Sequence, residues 1–313
     1  MKLYFLWAVS ILPIILTVGI VNGEPYQSDE FMLDNWAIPS GMGGNQTVIS
    51  RDGLSASGNP ALCTEISGTN VAISGGNHWT GLVSTMQIGM TRTMDYWGYG
   101  VSADFIGGDG IKITQLQNSE EPLSADNYPS VIDEQGHYTV ALNIAAARQW
   151  RNISVGVSAK GVRKKIPQHS GWGFAFSAGA LWNVLNSVKI GAYAQNISTY
   201  RLFWDDDIHE IGLPAFSLGV SWKFKLASKW AVQLAPEVNY GIEEGIGFLR
   251  AGMALSYDDI LTFALGTQDG SLTTGAKIEL NKFQLGASAG YNFSLGESYN
   301  ISVGYNFPSQ KLE

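Results

Sequence analysis

Fourteen or so short segments in which apolar residues fall on every second position dominate the chain from Thr69 onward, and this period of two constrains the fold more than any other feature. In Phe216, Leu218, Val220, Trp222, Phe224 and Leu226 the apolar members alternate with Ser217, Gly219, Ser221, Lys223 and Lys225. Tyr138 to Ala146, Ile153 to Lys160 and Tyr299 to Phe307 follow the same rule. Side chains of a strand point alternately to its two faces, so each segment reads as a strand with one apolar face. The spans expected are 69–76, 80–92, 95–107, 137–149, 152–163, 172–183, 187–197, 214–226, 229–240, 247–257, 260–268, 272–281, 283–293 and 298–307.

The opposite face decides what kind of β-protein this is. A soluble sandwich needs charge on its outer face, whereas here that face is mostly Gly, Ser, Ala and Asn and only 15% of residues are charged. Such a face suits the lumen of a barrel whose apolar face meets lipid. Trp97, Trp150, Trp172, Trp182, Trp222, Trp230, Tyr257, Phe283 and Tyr291 stand near strand ends, where an interfacial girdle belongs. Connections also sort by parity, as in outer-membrane barrels. They are tight after the second, fourth, eighth, tenth and twelfth strands, as at Asp258-Asp259 and Asn281-Lys282, and long at Gly108 to Gly136, Lys164 to Gly171 and Ser198 to Leu213. The expectation is all-β: a transmembrane antiparallel barrel of about fourteen strands in the cell outer membrane, with both chain ends in the periplasm and outer-membrane lipid as its surroundings.

The start of the chain fits export. Lys2 precedes a largely apolar run from Leu3, and the segment closes on Val21-Asn22-Gly23, the anatomy of a signal peptide over 1–23. No later window is a continuous apolar run long enough for a spanning helix. Residues 24–68 lack alternation and carry Gly41-Met42-Gly43-Gly44, Arg51-Asp52-Gly53 and Asn59-Pro60-Ala61-Leu62, the make-up of a compact plug, with Asn before Pro entering a short helix. The organisation expected is a signal peptide (1–23), an N-terminal hatch in the lumen (24–68), the barrel (69–307) and a short periplasmic tail (308–313).

Several pieces, in order along the mature chain, resemble the PorV/PorQ family of FadL-like outer-membrane barrels: Gly41-Met-Gly-Gly44, Asp52, Asn59-Pro60-Ala61, Gln195-Asn196, Leu213-Pro214, Leu218 to Ser221, Phe248 to Gly252 and Ile301 to Tyr305. The resemblance implies a fourteen-stranded barrel with a hatch. It also implies either a part in type IX protein secretion and surface attachment, with sorting-domain proteins or secretion components as partners, or FadL-like passage of hydrophobic small molecules such as long-chain fatty acids. The chain departs from the usual terminal aromatic, since Phe307 is followed by Pro308 to Glu313.

Signs of enzyme chemistry are few. Gly286-Ala-Ser288-Ala-Gly290 has the G-x-S-x-G spacing but falls inside an alternating strand, where no nucleophile elbow forms. His78, His137, His169 and His209 have no zinc-protease spacing. Asp205-Asp206-Asp207 with His209 and Glu210 lacks the pattern of a calcium loop and reads as a solvated outer loop. Cys63 has no cysteine to pair with and reads as a buried thiol, and a formal charge of −8 disfavours nucleic acid. Neither cofactor nor metal is expected. Candidate contacts for a ligand between hatch and wall are Phe31, Met32, Leu33, Trp36, Met42, Asn59 and Pro60, with Glu237 and Arg250 in the lumen. If Tyr240 pairs with Gly247, the register sets Glu237 directly opposite Arg250.

Overall fold

A computed structural model describes residues 24, 25, 33, 35–242, 247–268 and 270–307. Fourteen antiparallel strands close into a barrel: β1 (Thr69–His78), β2 (Val83–Met94), β3 (Trp97–Leu116), β4 (Pro129–Trp150), β5 (Ile153–Lys165), β6 (Ser170–Leu185), β7 (Val188–Gln195), β8 (Ala215–Lys225), β9 (Trp230–Gly241), β10 (Gly247–Tyr257), β11 (Leu261–Gln268), β12 (Ser271–Leu280), β13 (Phe283–Asn292) and β14 (Gly296–Phe307). Closure is made by β14 on β1, with Val303 opposite Ile73. Because closure removes both sheet edges, every strand satisfies its backbone polar groups within the wall, the condition for crossing lipid without helices. No described helix is long and apolar enough to span a membrane.

The alternation read from the sequence is the alternation of the wall. In β8, Phe216, Leu218, Val220 and Trp222 are exposed on the outside while Gly219 and Ser221 are buried on the inside. All nine girdle aromatics are exposed, and Trp230 and Tyr257 pack with ring centroids 4.8 Å apart. Tight turns close one rim. Asp258 and Asp259, the central residues of a turn in which Ile260 N donates to Tyr257 O at 3.0 Å, both adopt left-handed backbone (φ 53° and 54°).

The other rim departs from expectation twice. Gly108 to Gly136 is not an open loop: β3 and β4 run on past their neighbours as a ribbon, pairing from Ile111 with Gln135 to Leu116 with Pro129. Neither face of the ribbon meets lipid or core, so nothing imposes a clean period of two on its sequence. Ser198 to Leu213 likewise folds as a hairpin of Tyr200–Trp204 and His209–Gly212. Its first strand continues the wall beside β6, with Trp172 opposite Phe203. It turns Tyr200, Leu202 and Trp204 inward onto Ile106, Ala141, Val162 and Ala175.

Residues 35–68 lie inside the lumen as one short α-helix, α1 (Ala37–Gly41), and two 3-10 turns, Asp52–Ser57 and Pro60–Glu65. Upstream, Glu24–Pro25 pairs in parallel with the outer hairpin, Glu24 opposite Glu210. Glu24–Pro25 thus sits at the long-loop rim and Thr69 begins β1 at the short-turn rim, while the two chain ends, expected on the periplasmic side, lie outside the described residues. The expected signal peptide (1–23) and tail (308–313) fall outside the described residues.

Candidate functional site

Hatch and wall meet backbone to backbone. An added Cβ at Gly98 would stand 2.4 Å from the Cys63 carbonyl carbon, at Gly156 2.8 Å from Ala61 N, and at Gly252 2.4 Å from Met42 Cβ. At Gly275 it would stand 2.4 Å from Ala37 O, and at Gly179 only 1.8 Å from Asn59 Oδ1. The inward glycines therefore form a belt on which the hatch sits, and the space that small wall residues leave is filled by hatch main chain and by the side chains of Met42 and Asn59. Real Cβ atoms do not approach so closely, so each of these positions excludes any larger residue unless the hatch moves.

The motif Asn59-Pro60-Ala61 is part of that packing. Asn59 caps the 3-10 turn, its Oδ1 accepting from Ala61 N at 3.0 Å and its Nδ2 donating to Thr47 O at 2.8 Å, with Pro60 in the first position where no N–H is needed. Trp36 donates from Nε1 to Asp52 Oδ2 at 3.0 Å and packs on Leu54 and Ala72. Burial raises the Asp52 carboxyl above its ordinary range, against the opposing pull of Lys277 and the Trp36 hydrogen bond. Burial alone pushes the Cys63 thiol up to about 12.

Glu237 and Arg250 face each other across β9 and β10, as the hairpin arithmetic requires. Arg250 Nη1 lies 3.1 Å from Glu237 Oε1, and both side chains are at most 1% exposed. Their remaining valences go to the hatch. Glu237 Oε2 accepts from Gln46 N (3.1 Å) and Thr47 N (2.9 Å), and Arg250 Nη1 donates to Gly44 O at 2.8 Å. With its amide turned so that the oxygen meets a donor, Gln268 accepts from Arg250 Nη2 at 3.2 Å and donates to Gly43 O at 2.9 Å. A buried ion pair carries a large desolvation penalty, which excellent geometry and further hydrogen bonds offset.

One cavity opens above this contact, and a second lies apart from it at the short-turn rim. The outer one, about 610 Å³, opens at the long-loop rim between the hatch (Leu33, Ser40, Gly44) and the walls of β8 to β14 and β1. Its floor is polar, with Asn239, Gln268, Thr273 and Asn300, and its sides carry Phe248, Trp79 and Leu295. The second, about 520 Å³, lies at the short-turn ends of β8 to β10, lined by the outward-facing Trp222, Phe224 and Trp230 together with Lys223, Lys229 and Asp258, and by no hatch residue. Two of its lysines are paired at the rim, Lys223 with Asp259 and Lys229 with Asp258.

Of the residues expected to touch a ligand, Leu33 alone lines the outer cavity among those described. Trp36, Met42, Asn59 and Pro60 are buried in hatch packing, Glu237 and Arg250 hold the hatch, and Phe31 and Met32 fall outside the described residues. The lining residues that were missed were within reach. Asn239 lies one inward position above Glu237, and Phe248 one above Arg250. Elsewhere, Ser288 of the G-x-S-x-G run lies inside β13 and donates to Ser40 Oγ at 3.1 Å, so no nucleophile elbow exists there. Asp205 and Asp206 approach His169 Nδ1 at 3.3 and 3.4 Å, while His209 stacks edge-on against Phe203. Hydrogen bonds from Ser170 lower the Asp205 carboxyl, and the cluster remains accessible to water.

The sequence matches no protein-family model and no curated protein. The fold does match solved structures. The P. putida toluene transporter TodX superposes with a TM-score of 0.63 at 11% identity, over 92% of this chain and 100% of that one. The Ralstonia pickettii toluene transporter TbuX gives 0.57 at 12%, over 91% and 99%, and a Pseudomonas aeruginosa FadL homologue gives 0.50 at 11%, over 88% and 100%. This is the fold of FadL-like outer-membrane channels. The chain is an outer-membrane protein, and its structural neighbours are transport channels rather than enzymes.

Proposed function

We propose that the protein is a conduit for hydrophobic small molecules across the outer membrane, the second of the two roles implied by the family resemblance. The observation that carries this reading is the pairing of a closed, hatch-filled barrel with a cavity of about 610 Å³ that opens outward and has both apolar and polar walls. Ligand pockets of this size are lined mainly by apolar groups with a few placed polar ones, so a molecule with a hydrocarbon body and a polar end suits it. The shared fold with toluene transporters supports the same reading. The motifs that resemble PorV/PorQ do not argue for secretion in particular. Asn59-Pro60-Ala61 and Gly41 to Gly44 are occupied in seating the hatch, a task any hatch-filled barrel of this kind shares.

The test is uptake. A host whose own hydrophobic uptake channels are deleted, expressing this protein, should take up radiolabelled toluene or oleate faster than the same host with empty vector. No gain with either probe, from a correctly assembled barrel, overturns the reading; loss of a sorting-domain protein from the cell surface on deletion of the gene would support the secretion role instead.

A further inference from the structure

On the outside of the wall, β5 is the one place where small residues stand between bulky neighbours beneath a group of cations. Its outward residues Ala159 and Gly161 lie between Ile144 and Leu142 of β4 on one side and Phe176 and Phe174 of β6 on the other. An added Cβ at Gly161 would meet nothing within 4 Å. The outer face therefore carries a furrow along β5, about 13 Å long from Ala159 up to Arg163, walled by exposed Leu142, Ile144 and Phe176. Its upper end lies at headgroup height. Arg163 stands opposite Trp172, while Ile153 at the other end of β5 stands opposite Trp182, and these two girdle tryptophans mark the two interfaces on β6.

Three outward cations gather there. Arg163 and Lys165 follow each other on β5, and Arg201 of the outer hairpin lies opposite Phe174 and Ile211. Arg163 Nη2 donates to Ser170 Oγ at 3.1 Å, but among the described residues no carboxylate lies within ion-pair distance of any of the three. The hairpin acids Asp205 and Asp206 are turned to His169 and Ser170 instead. Arg201 is half-buried among apolar neighbours, where a charge without a counter-ion is costly.

We propose that this face of β5 and β6 binds one phosphorylated acyl lipid of the outer leaflet, with phosphate on Arg163, Arg201 and Lys165 and an acyl chain in the Gly161 furrow. Guanidinium forks match phosphate oxygens in geometry as well as charge, and basic clusters at the membrane surface attract anionic lipid. The furrow adds what a free anion would not use, an apolar slot continuous with the lipid-facing band. The site lies outside the wall and does not depend on what crosses the lumen.

Native mass spectrometry of the barrel released from detergent tests this with diphosphorylated lipid A as the probe. Wild type should retain one lipid A, which neither phosphatidylcholine nor millimolar inorganic phosphate displaces. Arg163→Gln/Arg201→Gln should weaken retention about tenfold or more. Arg92→Gln/Arg148→Gln, which removes two exposed arginines from the short-turn rim, should leave it unchanged. Gly161→Leu fills the furrow without altering charge and should weaken retention severalfold. Equal loss in the two arginine pairs, or full retention without Arg163 and Arg201, overturns the proposal. Displacement by phosphatidylcholine would mean unspecific boundary lipid, and displacement by phosphate, or wild-type retention in Gly161→Leu, would mean an anion site without a lipid slot; each overturns it too. If the Arg163/Arg201 variant does not assemble, Gly161→Leu and the two competitions decide.

Discussion

At Asn59 one amide serves the hatch twice, and a wall glycine makes room for it. Removing the amide in Asn59→Ala leaves Thr47 O and Ala61 N to find other partners in a fully buried site, a loss of about 1–3 kcal/mol. Gly179→Ala attacks the same contact from the wall, because its Cβ and Asn59 Oδ1 cannot coexist. The two substitutions should therefore be strongly non-additive in a double-mutant cycle of hatch undocking. Additive losses would mean that the contact is not the one drawn here. Undocking can be read at Cys63, whose thiol has its pKa raised from 9.0 to about 12. With the hatch seated, alkylation should remain negligible at pH 8 to 9, since the thiolate is the reactive form. The sign for stability follows: the buried neutral thiol favours docking below the ordinary thiol pKa, and that contribution fades as pH rises from about 9 towards 12. Labelling of wild-type protein at pH 8 as fast as that of a free thiol would contradict a buried Cys63.

At the scale of elements, the wall was legible because lipid outside and hatch inside impose opposite chemistry on successive residues. Register was legible where a turn was tight: pairing Tyr240 with Gly247 was enough to bring Glu237 to Arg250. What the sequence withheld is where no such contrast exists. The β3–β4 ribbon beyond Gly108 has water on both faces, and the hairpin over Ser198 to Leu213 is made of strands too short for a period to register. The site was half legible for a related reason. Trp36, Met42 and Asn59 stood out as residues with a task, but sequence pattern does not distinguish seating a hatch from touching a ligand. These two outer elements carry contrasting expectations. Replacing Asn118 to Asn127 at the ribbon tip by a two-residue Asn-Gly turn should leave thermal unfolding in detergent unchanged, because the ribbon reaches past both neighbouring strands. Trp204→Ala removes the largest member of the cluster that holds the hairpin down, a change of about 3–5 kcal/mol for a buried aromatic. Limited proteolysis should then cut at Asp205 to Asp207 well before it cuts wild type, and equal rates would show that Trp204 does not anchor the hairpin.

For the whole molecule, the inside-out distribution of apolar residues has one physical explanation, a hydrocarbon solvent around the wall, and it can be tested by placing a charge at two depths. Ile144 is 58% exposed midway along the barrel part of β4, between Tyr138 and the girdle residue Trp150, and Leu185 is 61% exposed at the short-turn end of β6. In water the two would respond alike, and exchanging an exposed aliphatic for arginine would be close to neutral for either. In a bilayer the response depends on depth. Arginine at the midplane of a barrel costs about 2–4 kcal/mol and near the interface about 0–1. Equilibrium unfolding from phospholipid vesicles should therefore show Ile144→Arg destabilised by the larger amount and Leu185→Arg nearly unchanged. Equal effects at the two positions would mean that the exposed aliphatic band does not face lipid, and would remove the ground on which the inner face was assigned to the hatch.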